Sequence, residues 1–282
     1  MARAIEAMRE SDYPPQEPLS DFARPYRDAC VERSTGISFG EIAYGDDPYQ
    51  RVAIYPAPRP NGTVLAFVHG GGWTSGYKEW MGFMAPALAT QGVLFASIGY
   101  RLAPAHVFPA GLDDVAAAIA AIEKSASRWG GDGRRLFIGG HSAGGHYTSL
   151  LAVRRDWQSL HGLPHDAIRG CLPISGVYRF GAGSGLSMRP RFLGPESAAL
   201  ERAASPILNI QGTPPPFLIA HGDRDFPHLV TQAVEMEAAL RAAGGAVERL
   251  VLAGCDHLGA SLAAGDANGP WVPRAADFMA RH

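Results

Sequence analysis

The chain has 282 residues, of which 46% are hydrophobic and 18% are charged, so it can form one large α/β domain with an ample core. Its formal net charge is −2 and its Lys and Arg residues form no run longer than two, which argues against nucleic-acid binding. No stretch of the sequence approaches the roughly 18 apolar residues that span a bilayer, so we expect no membrane span.

The N-terminal sequence and the cysteines indicate where the protein works. Residues 1–18 include acidic residues and lack a long apolar core, so they fit neither a secretory signal nor a transit peptide. Cys30, Cys171 and Cys255 are odd in number and far apart, which is typical of reduced thiols rather than of a disulfide framework. We therefore expect a cytoplasmic protein.

The first predicted elements follow a proline-rich N-terminal arm at residues 1–36, which we expect to be irregular and to form part of a cap. Two β-like runs at residues 37–44 and 50–55 flank the turn Gly45-Asp46-Asp47-Pro48. This arrangement predicts an antiparallel pair of strands.

Apolar strands then alternate with helical patterns along the rest of the chain. Strands are predicted at residues 64–68, 93–100, 136–139, 170–174, 216–220 and 247–252, and helices at residues 81–91, 111–129, 145–155, 229–242 and 273–281. Such alternation predicts a parallel sheet covered by helices on both faces.

One segment interrupts this alternation. Residues 179–216 are rich in glycine and proline and are too long for an ordinary connection, so we interpret them as a lid-like insertion or pocket wall. Residues 37–282 are accordingly predicted to form a single domain that carries this insertion.

The string Gly140-His-Ser-Ala-Gly144 lies between a predicted strand and a predicted helix. The flanking glycines allow a sharp turn that leaves the hydroxyl of Ser142 exposed above the sheet. Ser142 is therefore the candidate nucleophile, although the same pattern also fits a glycine-rich turn whose serine caps the next helix.

The string His69-Gly-Gly-Gly-Trp73 follows another predicted strand. Successive glycines let backbone amides converge on one point, where they can stabilise the oxyanion of an acyl-transfer reaction. His69 is expected to brace this loop. The two motifs, in this order and each after a strand, indicate a serine hydrolase.

A serine nucleophile needs a general base and an acid that orients it, and both follow later strands. His257 follows the strand predicted at residues 247–252, and the carboxylates Asp223 and Asp225 follow the strand predicted at residues 216–220. We prefer Asp225, more on the resemblance described below than on physical grounds, because either aspartate fits the turn.

Together these residues make the chain resemble an α/β-hydrolase of the hormone-sensitive-lipase and arylformamidase-like (kynurenine formamidase-like) esterase group. The resemblance runs from about residue 37 to the C-terminus and rests on His69-Gly-Gly-Gly-Trp73, Tyr100-Arg-Leu-Ala-Pro104 with Phe108-Pro109, and Gly140-His-Ser-Ala-Gly-Gly145. It implies the α/β-hydrolase fold, with a mostly parallel central sheet, helices on both faces and a small lid or cap.

The same resemblance assigns roles to individual residues. It makes Ser142 the nucleophile, His257 the base and Asp225 the acid of a triad. It also implies that the oxyanion hole consists of three backbone amides, those of Gly71, Gly72 and Ala143.

Within that group the motifs divide between two kinds of enzyme. Lipase-like esterases usually have Asp where this chain has His141, whereas Gly140-His-Ser-Ala-Gly-Gly-His146 and Ser175-Gly-Val-Tyr178 look more like kynurenine formamidase-type enzymes. Gly72, however, stands where those formamidases often carry tyrosine.

Three functional hypotheses follow from these motifs. The preferred one is a serine hydrolase that cleaves small to medium carboxylic esters through an acyl-enzyme intermediate. The second is an arylformamidase acting on amides of the N-formylkynurenine type, and the third is a catalytically silent ligand-binding protein of the same fold.

The preferred hypothesis requires no metal or organic cofactor and takes a small-molecule ester or aryl amide as its partner, and it leaves a homodimer open. A metallohydrolase built on His221, Asp223, Asp225 and His228 is less favoured, because a triad acid turn explains their spacing as well. The candidates for an apolar substrate pocket are Trp73, Trp80, Phe180, Met188, Phe192 and Phe226.

Overall fold

A nine-stranded β-sheet forms the centre of the protein, whose computed structural model describes residues 3–4 and 10–282. In chain order the strands are β1 (Arg3–Ala4), β2 (Ser38–Ala43), β3 (Arg51–Tyr55), β4 (Gly62–Val68), β5 (Leu94–Ile98), β6 (Gly131–His141), β7 (Ile168–Ile174), β8 (Phe217–Gly222) and β9 (Val247–Leu252). Across the sheet their order is β1-β2-β3-β5-β4-β6-β7-β8-β9.

The sheet is antiparallel at one side and parallel elsewhere. β1 pairs with β2, β2 with β3 and β3 with β5 in antiparallel fashion. The pairings of β5 with β4, β4 with β6, β6 with β7, β7 with β8 and β8 with β9 are all parallel. The predicted antiparallel opening pair and the mostly parallel sheet are both confirmed.

The helices are α1 (Arg24–Ser34), α2 (Ala85–Thr90), α3 (Ala110–Ser125), α4 (Ala143–Val153), α5 (Asp156–Leu160), α6 (Arg189–Leu193), α7 (Ala198–Ala204), α8 (Pro227–Ala242), α9 (His257–Leu262) and α10 (Trp271–Arg281). Short 3₁₀ helices lie at Glu10–Asp12, Lys78–Met84, Ala126–Trp129, Pro206–Leu208 and Ala263–Gly265. Every residue of β5 and β8 is buried, which requires cover on both faces of the sheet. Within residues 10–282, no helix is long and apolar enough to cross a membrane.

The sequence predicted an irregular N-terminal arm. This prediction is wrong for part of the arm, because residues 24–34 form α1. Gln16 joins the arm to the segment that follows β4. Its side-chain amide donates to Gly76 O at 2.9 Å and accepts from Gly76 N at 2.9 Å. The hydroxyl of Tyr49 donates to Pro14 O at 2.9 Å. The arm prediction also covers residues 1–2 and 5–9, which lie outside the described residues.

The parallel strands align the loops that follow them. His141 at the end of β6 is in register with Ile174 at the end of β7, and Ile174 is in register with Ala220 of β8. Gly222 at the end of β8 is in register with Leu252 at the end of β9. The segments that follow β6, β7, β8 and β9 therefore emerge side by side at one edge of the sheet.

A buried ion pair ties the segment after β5 to α3. The Arg101 guanidinium donates to Asp114 Oδ1 at 2.7 Å and to Asp114 Oδ2 at 2.9 Å, and Arg101 N donates to Oδ2 at 2.9 Å. The amide of Gln50 donates to Asp114 Oδ1 at 2.8 Å. Asp114 therefore anchors the helix through side-chain contacts, whereas its neighbour Asp113 is exposed.

We expect Asp114→Asn to lower the free energy of unfolding by about 2 kcal/mol, because it removes the buried charge that Arg101 contacts through two nitrogens. Asp113→Asn, at the neighbouring exposed position, is the matched control and should change it by less than about 0.5 kcal/mol. Urea unfolding of both variants measures the difference. Equal effects of the two substitutions would contradict the anchoring role.

Candidate active site

Ser142 lies on a sharp turn between β6 and α4. Its backbone has a φ of 53°, which is uncommon for a residue other than glycine. Ser142 N donates to Ile174 O on the neighbouring strand at 2.9 Å. Two residues later, an added Cβ on Gly144 would lie 2.0 Å from Val68 O, so only glycine allows this turn to approach β4. The strand, turn and helix predicted around the serine are therefore present.

The structure brings Ser142, His257 and Asp225 into one hydrogen-bonded chain. Ser142 Oγ lies 2.9 Å from His257 Nε2, and His257 Nδ1 lies 2.9 Å from Asp225 Oδ1. His257 is the first residue of α9 and is buried, as is Asp225. In this geometry the imidazole donates from Nδ1 to the carboxylate and accepts a hydrogen bond from the serine hydroxyl at Nε2.

Asp225, and not Asp223, contacts the histidine. The backbone amide of Phe226 donates to Asp225 Oδ1 at 2.7 Å, and the hydroxyl of Ser175 donates to Oδ2. Burial alone raises the pKa of Asp225, but the hydrogen bond and charge of His257, with the Ser175 hydroxyl, lower it to about 2. Asp223 instead accepts from Gly254 N at 2.8 Å, in the segment between β9 and His257.

Sequence reasoning assigned no role to Ser175, although its string Ser175-Gly-Val-Tyr178 contributed to the resemblance. Ser175 follows β7, is buried, and has a φ of 52°. Ser175 N donates to Ala220 O at 2.8 Å, which fixes the position from which its hydroxyl reaches Asp225. Besides that resemblance, the signal in the sequence was its place at the end of a predicted strand.

His141 is a second residue whose contact with the site was not predicted. Its Nε2 lies 2.9 Å from the backbone oxygen of His257, and the two rings are 4.8 Å apart. A carbonyl oxygen can only accept, so Nε2 must carry the proton. Burial, together with the nearby His257, lowers the pKa of His141 to about 3, which keeps the ring neutral.

The glycine loop that follows β4 borders the same site. Gly71 has a φ of 118°, and an added Cβ would lie 1.9 Å from Ser75 O, so this position requires glycine. Gly71 and Gly72 line the cavity that contains Ser142. Ala143 is the first residue of α4, where a helix offers no acceptor for the backbone amide. Gly71 and Gly72 therefore share a cavity with Ser142, and Ala143 follows it in the chain, while the role of the three amides as oxyanion donors stays a prediction.

His69 fixes the start of this loop through a hydrogen bond and a stacking contact. Its Nδ1 donates to Gly70 O at 2.7 Å, and its ring stacks on Tyr100 with centroids 4.5 Å apart. The Tyr100 hydroxyl donates to His69 O at 3.3 Å. Burial lowers the pKa of His69 to about 4, so the imidazole braces the loop as a neutral group.

A cavity of about 500 Å³ opens above Ser142 and His257. Four of the predicted pocket residues line it, namely Trp73, Trp80, Met188 and Phe226. The lining is mostly apolar, and its formally charged side chains are Glu17 and Arg191, which pair with each other at 3.3 Å.

Phe180 and Phe192 do not line the cavity, which corrects their predicted placement. They are 4% and 0% exposed and lie behind Trp73, with ring centroids 5.6 and 4.2 Å from its ring. Trp73 Nε1 donates to His146 Nδ1 at 3.2 Å, and His146 Nε2 donates to Ala204 O at 2.7 Å. The tryptophan is thus anchored to the interior, and the two phenylalanines support it from behind.

The N-terminal arm supplies one wall of the cavity. The sequence predicted a cap role for the arm but did not identify the residues that line the cavity. Leu19, Phe22 and Tyr26 line it opposite Leu186 and Met188 of the segment at residues 179–216. Their spacing of three and four residues is helical, but the prolines of the arm led the sequence prediction to an irregular segment. The cap role of both segments remains a prediction.

Of the four residues considered for a metal site, three form hydrogen bonds with different partners, and His228 stacks on Phe226. His221 Nδ1 donates to Gly222 O at 2.9 Å, and Asp223 and Asp225 have the contacts given above. In the part of the chain that the structure describes, no three His, Cys, Asp or Glu side chains group in a way that could hold a metal ion.

Comparisons with known proteins identify the family. The chain matches the alpha/beta hydrolase fold family over residues 65–260. It is 33% identical over 257 residues to the esterase LipC of Mycobacterium tuberculosis, covering 84% of this chain and 64% of LipC. It is 26% identical over 240 residues to the isoprenylcysteine alpha-carbonyl methylesterase ICME of Arabidopsis thaliana, covering 77% of this chain and 55% of ICME.

Among solved structures, the chain is similar to the carboxylesterase EstE1 from a metagenomic library, with a TM-score of 0.73 and 18% identity over 93% of this chain and 95% of EstE1. At that identity the likeness shows the fold alone. The chain spans 64% of LipC and 55% of ICME, which is between half and two thirds of these curated relatives. From the family match, the chain belongs to the α/β-hydrolase family.

Proposed function

We propose that the protein is a serine carboxylesterase that cleaves small to medium carboxylic esters through an acyl-enzyme intermediate. The observation that carries this proposal is the hydrogen-bonded chain from Ser142 through His257 to Asp225 beside the glycine loop. The names of the relatives, esterase LipC and methylesterase ICME, support the same class of reaction.

In the acylation step, His257 Nε2 takes the proton of Ser142 Oγ as that oxygen attacks the ester carbonyl. The carbonyl π electrons move to its oxygen, which accepts hydrogen bonds from the amides of Gly71, Gly72 and Ala143. When the tetrahedral intermediate collapses, the bond to the alcohol oxygen breaks and His257 gives that oxygen its proton. The acyl group remains on Ser142.

In the deacylation step, His257 removes a proton from water as the water oxygen attacks the acyl-enzyme carbonyl. The bond between the acyl carbon and Ser142 Oγ then breaks, and His257 returns the proton to the serine. The products are the carboxylic acid and the free enzyme. Over the two steps, one ester and one water are consumed and one alcohol and one carboxylic acid are released, so the reaction balances.

Asp225 supports both steps by holding the imidazole in one tautomer and by stabilising its charged form. Both carboxylate oxygens accept hydrogen bonds, Oδ1 from His257 and Phe226 and Oδ2 from Ser175. With the pKa of Asp225 at about 2, the carboxylate stays ionised over the neutral and mildly acidic range. Acid inactivation in that range is therefore not expected to come from Asp225.

We expect Ser142→Ala to fold normally and to lose ester hydrolysis by a factor on the order of 10⁴ or more, because the nucleophile and the base act as a unit. Hydrolysis of short p-nitrophenyl esters, with circular dichroism as a check of folding, measures the effect. Ser159→Ala, at an exposed serine of α5 outside the cavity lining, serves as the control. Activity of Ser142→Ala within tenfold of the parent would rule out the mechanism.

Asp225→Asn should reduce kcat by roughly 10³- to 10⁴-fold, because an amide favours the wrong tautomer of His257 and cannot balance its charge. Asp223→Asn should leave kcat within a few-fold, since Asp223 accepts from the backbone amide of Gly254 and an asparagine oxygen can accept the same bond. The measurement is kcat for one ester with both variants. The reverse ranking would transfer the role of triad acid to Asp223.

The arylformamidase hypothesis uses the same nucleophile, base and oxyanion donors. A side-by-side measurement of kcat/KM for p-nitrophenyl esters and for N-formylkynurenine distinguishes the two substrates. The esterase proposal requires the esters to be the better substrates, and a preference for the formamide would replace it with the arylformamidase.

A further inference from the structure

We propose that Phe22 and Phe226 form a leaving-group subsite that selects esters of neutral aromatic alcohols. This inference rests on the proposed esterase function and deepens it by naming the alcohol. Phe22 belongs to the N-terminal arm and Phe226 follows the triad acid, so the two residues meet only in the folded protein.

The mechanism fixes the direction of the leaving group. The tetrahedral carbon on Ser142 carries the oxyanion, the acyl chain and the alcohol oxygen, in addition to the serine oxygen. The oxyanion faces the amides of the glycine loop, and the alcohol oxygen must lie within reach of His257 Nε2, which protonates it. The alcohol therefore extends along the side of the cavity that His257 borders.

Phe226 lies on that side and contacts the base. Its ring centroid is 4.9 Å from the His257 ring and 5.7 Å from the His228 ring, on which it stacks with an interplanar angle of 16°. Its backbone amide binds the carboxylate of Asp225, which fixes the residue at the mouth of the cavity. An alcohol that extends past His257 would therefore contact the aromatic ring of Phe226.

Phe22 extends this aromatic surface. Its ring centroid lies 5.9 Å from that of Phe226, with an interplanar angle of 52°, and both residues line the cavity. They are 51% and 40% exposed, so each ring keeps a large apolar area open to solvent beside the reacting groups. Covering such area is favourable, and aromatic pairs in tilted or offset arrangements gain more than their area alone provides.

The charges around the cavity favour an uncharged alcohol. Glu17 and Arg191 are the formally charged side chains that line it, and they pair with each other. Among the described residues of this lining, a charged alcohol would find no unpaired opposite charge, whereas a neutral aromatic ring loses little hydration on entry. The chemistry of the surface therefore fits an aryl or arylmethyl alcohol.

Benzyl acetate and ethyl acetate test the proposal, because they share the acyl group and have alcohols of similar acidity. We expect the parent enzyme to show a kcat/KM for benzyl acetate about tenfold above that for ethyl acetate. Phe22→Ala and Phe226→Ala should each bring this ratio down towards one. Phe22→Leu, which keeps apolar area without a ring, should give an intermediate ratio.

Two controls separate the leaving-group subsite from other effects. Val234→Ala removes an exposed apolar side chain of α8 outside the cavity lining and should leave the benzyl-to-ethyl ratio unchanged. The ratio of benzyl butanoate to benzyl acetate reports the acyl side and should not move in Phe22→Ala. A parent ratio near one, or ratios unmoved in folded Phe22→Ala and Phe226→Ala, would overturn the proposal.

A binding measurement keeps the subsite testable apart from catalysis. Ligand-observed NMR of Ser142→Ala should detect benzyl alcohol, and the signal should weaken in the double variant with Phe22→Ala. If neither acetate is hydrolysed, the proposed function fails, and this binding result then decides the subsite. If both esters are hydrolysed with equal kcat/KM, or if Phe22→Ala does not change the binding of benzyl alcohol, the subsite proposal is wrong. The esterase proposal is unaffected by either result.

Discussion

The left-handed backbone of Ser142 is the constraint on which the rest of the site depends. A serine at a φ of 53° costs about 1 kcal/mol or more, and the surrounding contacts hold it there. The bond from Ser142 N to Ile174 O joins the turn to β7, and Gly144 lets it approach Val68 of β4. Because these strands are the centre of the sheet, the serine oxygen is fixed relative to the loops that carry the base and the acid. The strain is stored where the proposed chemistry needs a preset geometry.

Neutral histidines supply much of the rigidity around that turn. His69, His141 and His146 are fully buried, and burial lowers the pKa of each to between about 3 and 4. Each uses a ring nitrogen to hold a backbone oxygen, of Gly70, His257 and Ala204 respectively. Because they stay uncharged, they order the loops without adding competing charge beside His257.

The loops at the sheet edge carry the groups proposed to react, whereas the cavity walls are the parts that can select the ester. The groups proposed to react follow β4, β6, β8 and β9, whose positions are fixed by the strand register. The walls come from the N-terminal arm and from residues 179–216, which meet at the Glu17 and Arg191 pair. Substitutions in the walls can therefore alter which ester binds without moving the nucleophile, as expected of loops on a rigid scaffold.

The sequence by itself determined the sheet, the sharp turn at Ser142 and the glycine loop, since periodicity and glycine spacing are local properties of the chain. It also pointed to His257, but it left Asp223 and Asp225 open on physical grounds and missed Ser175, His141 and α1. Only the tertiary structure placed Asp225 at 2.9 Å from His257, buried Phe192 behind Trp73 and brought Phe22 to Phe226. Those outcomes depend on where distant segments meet across the sheet edge, and such contacts leave no periodic trace in the sequence.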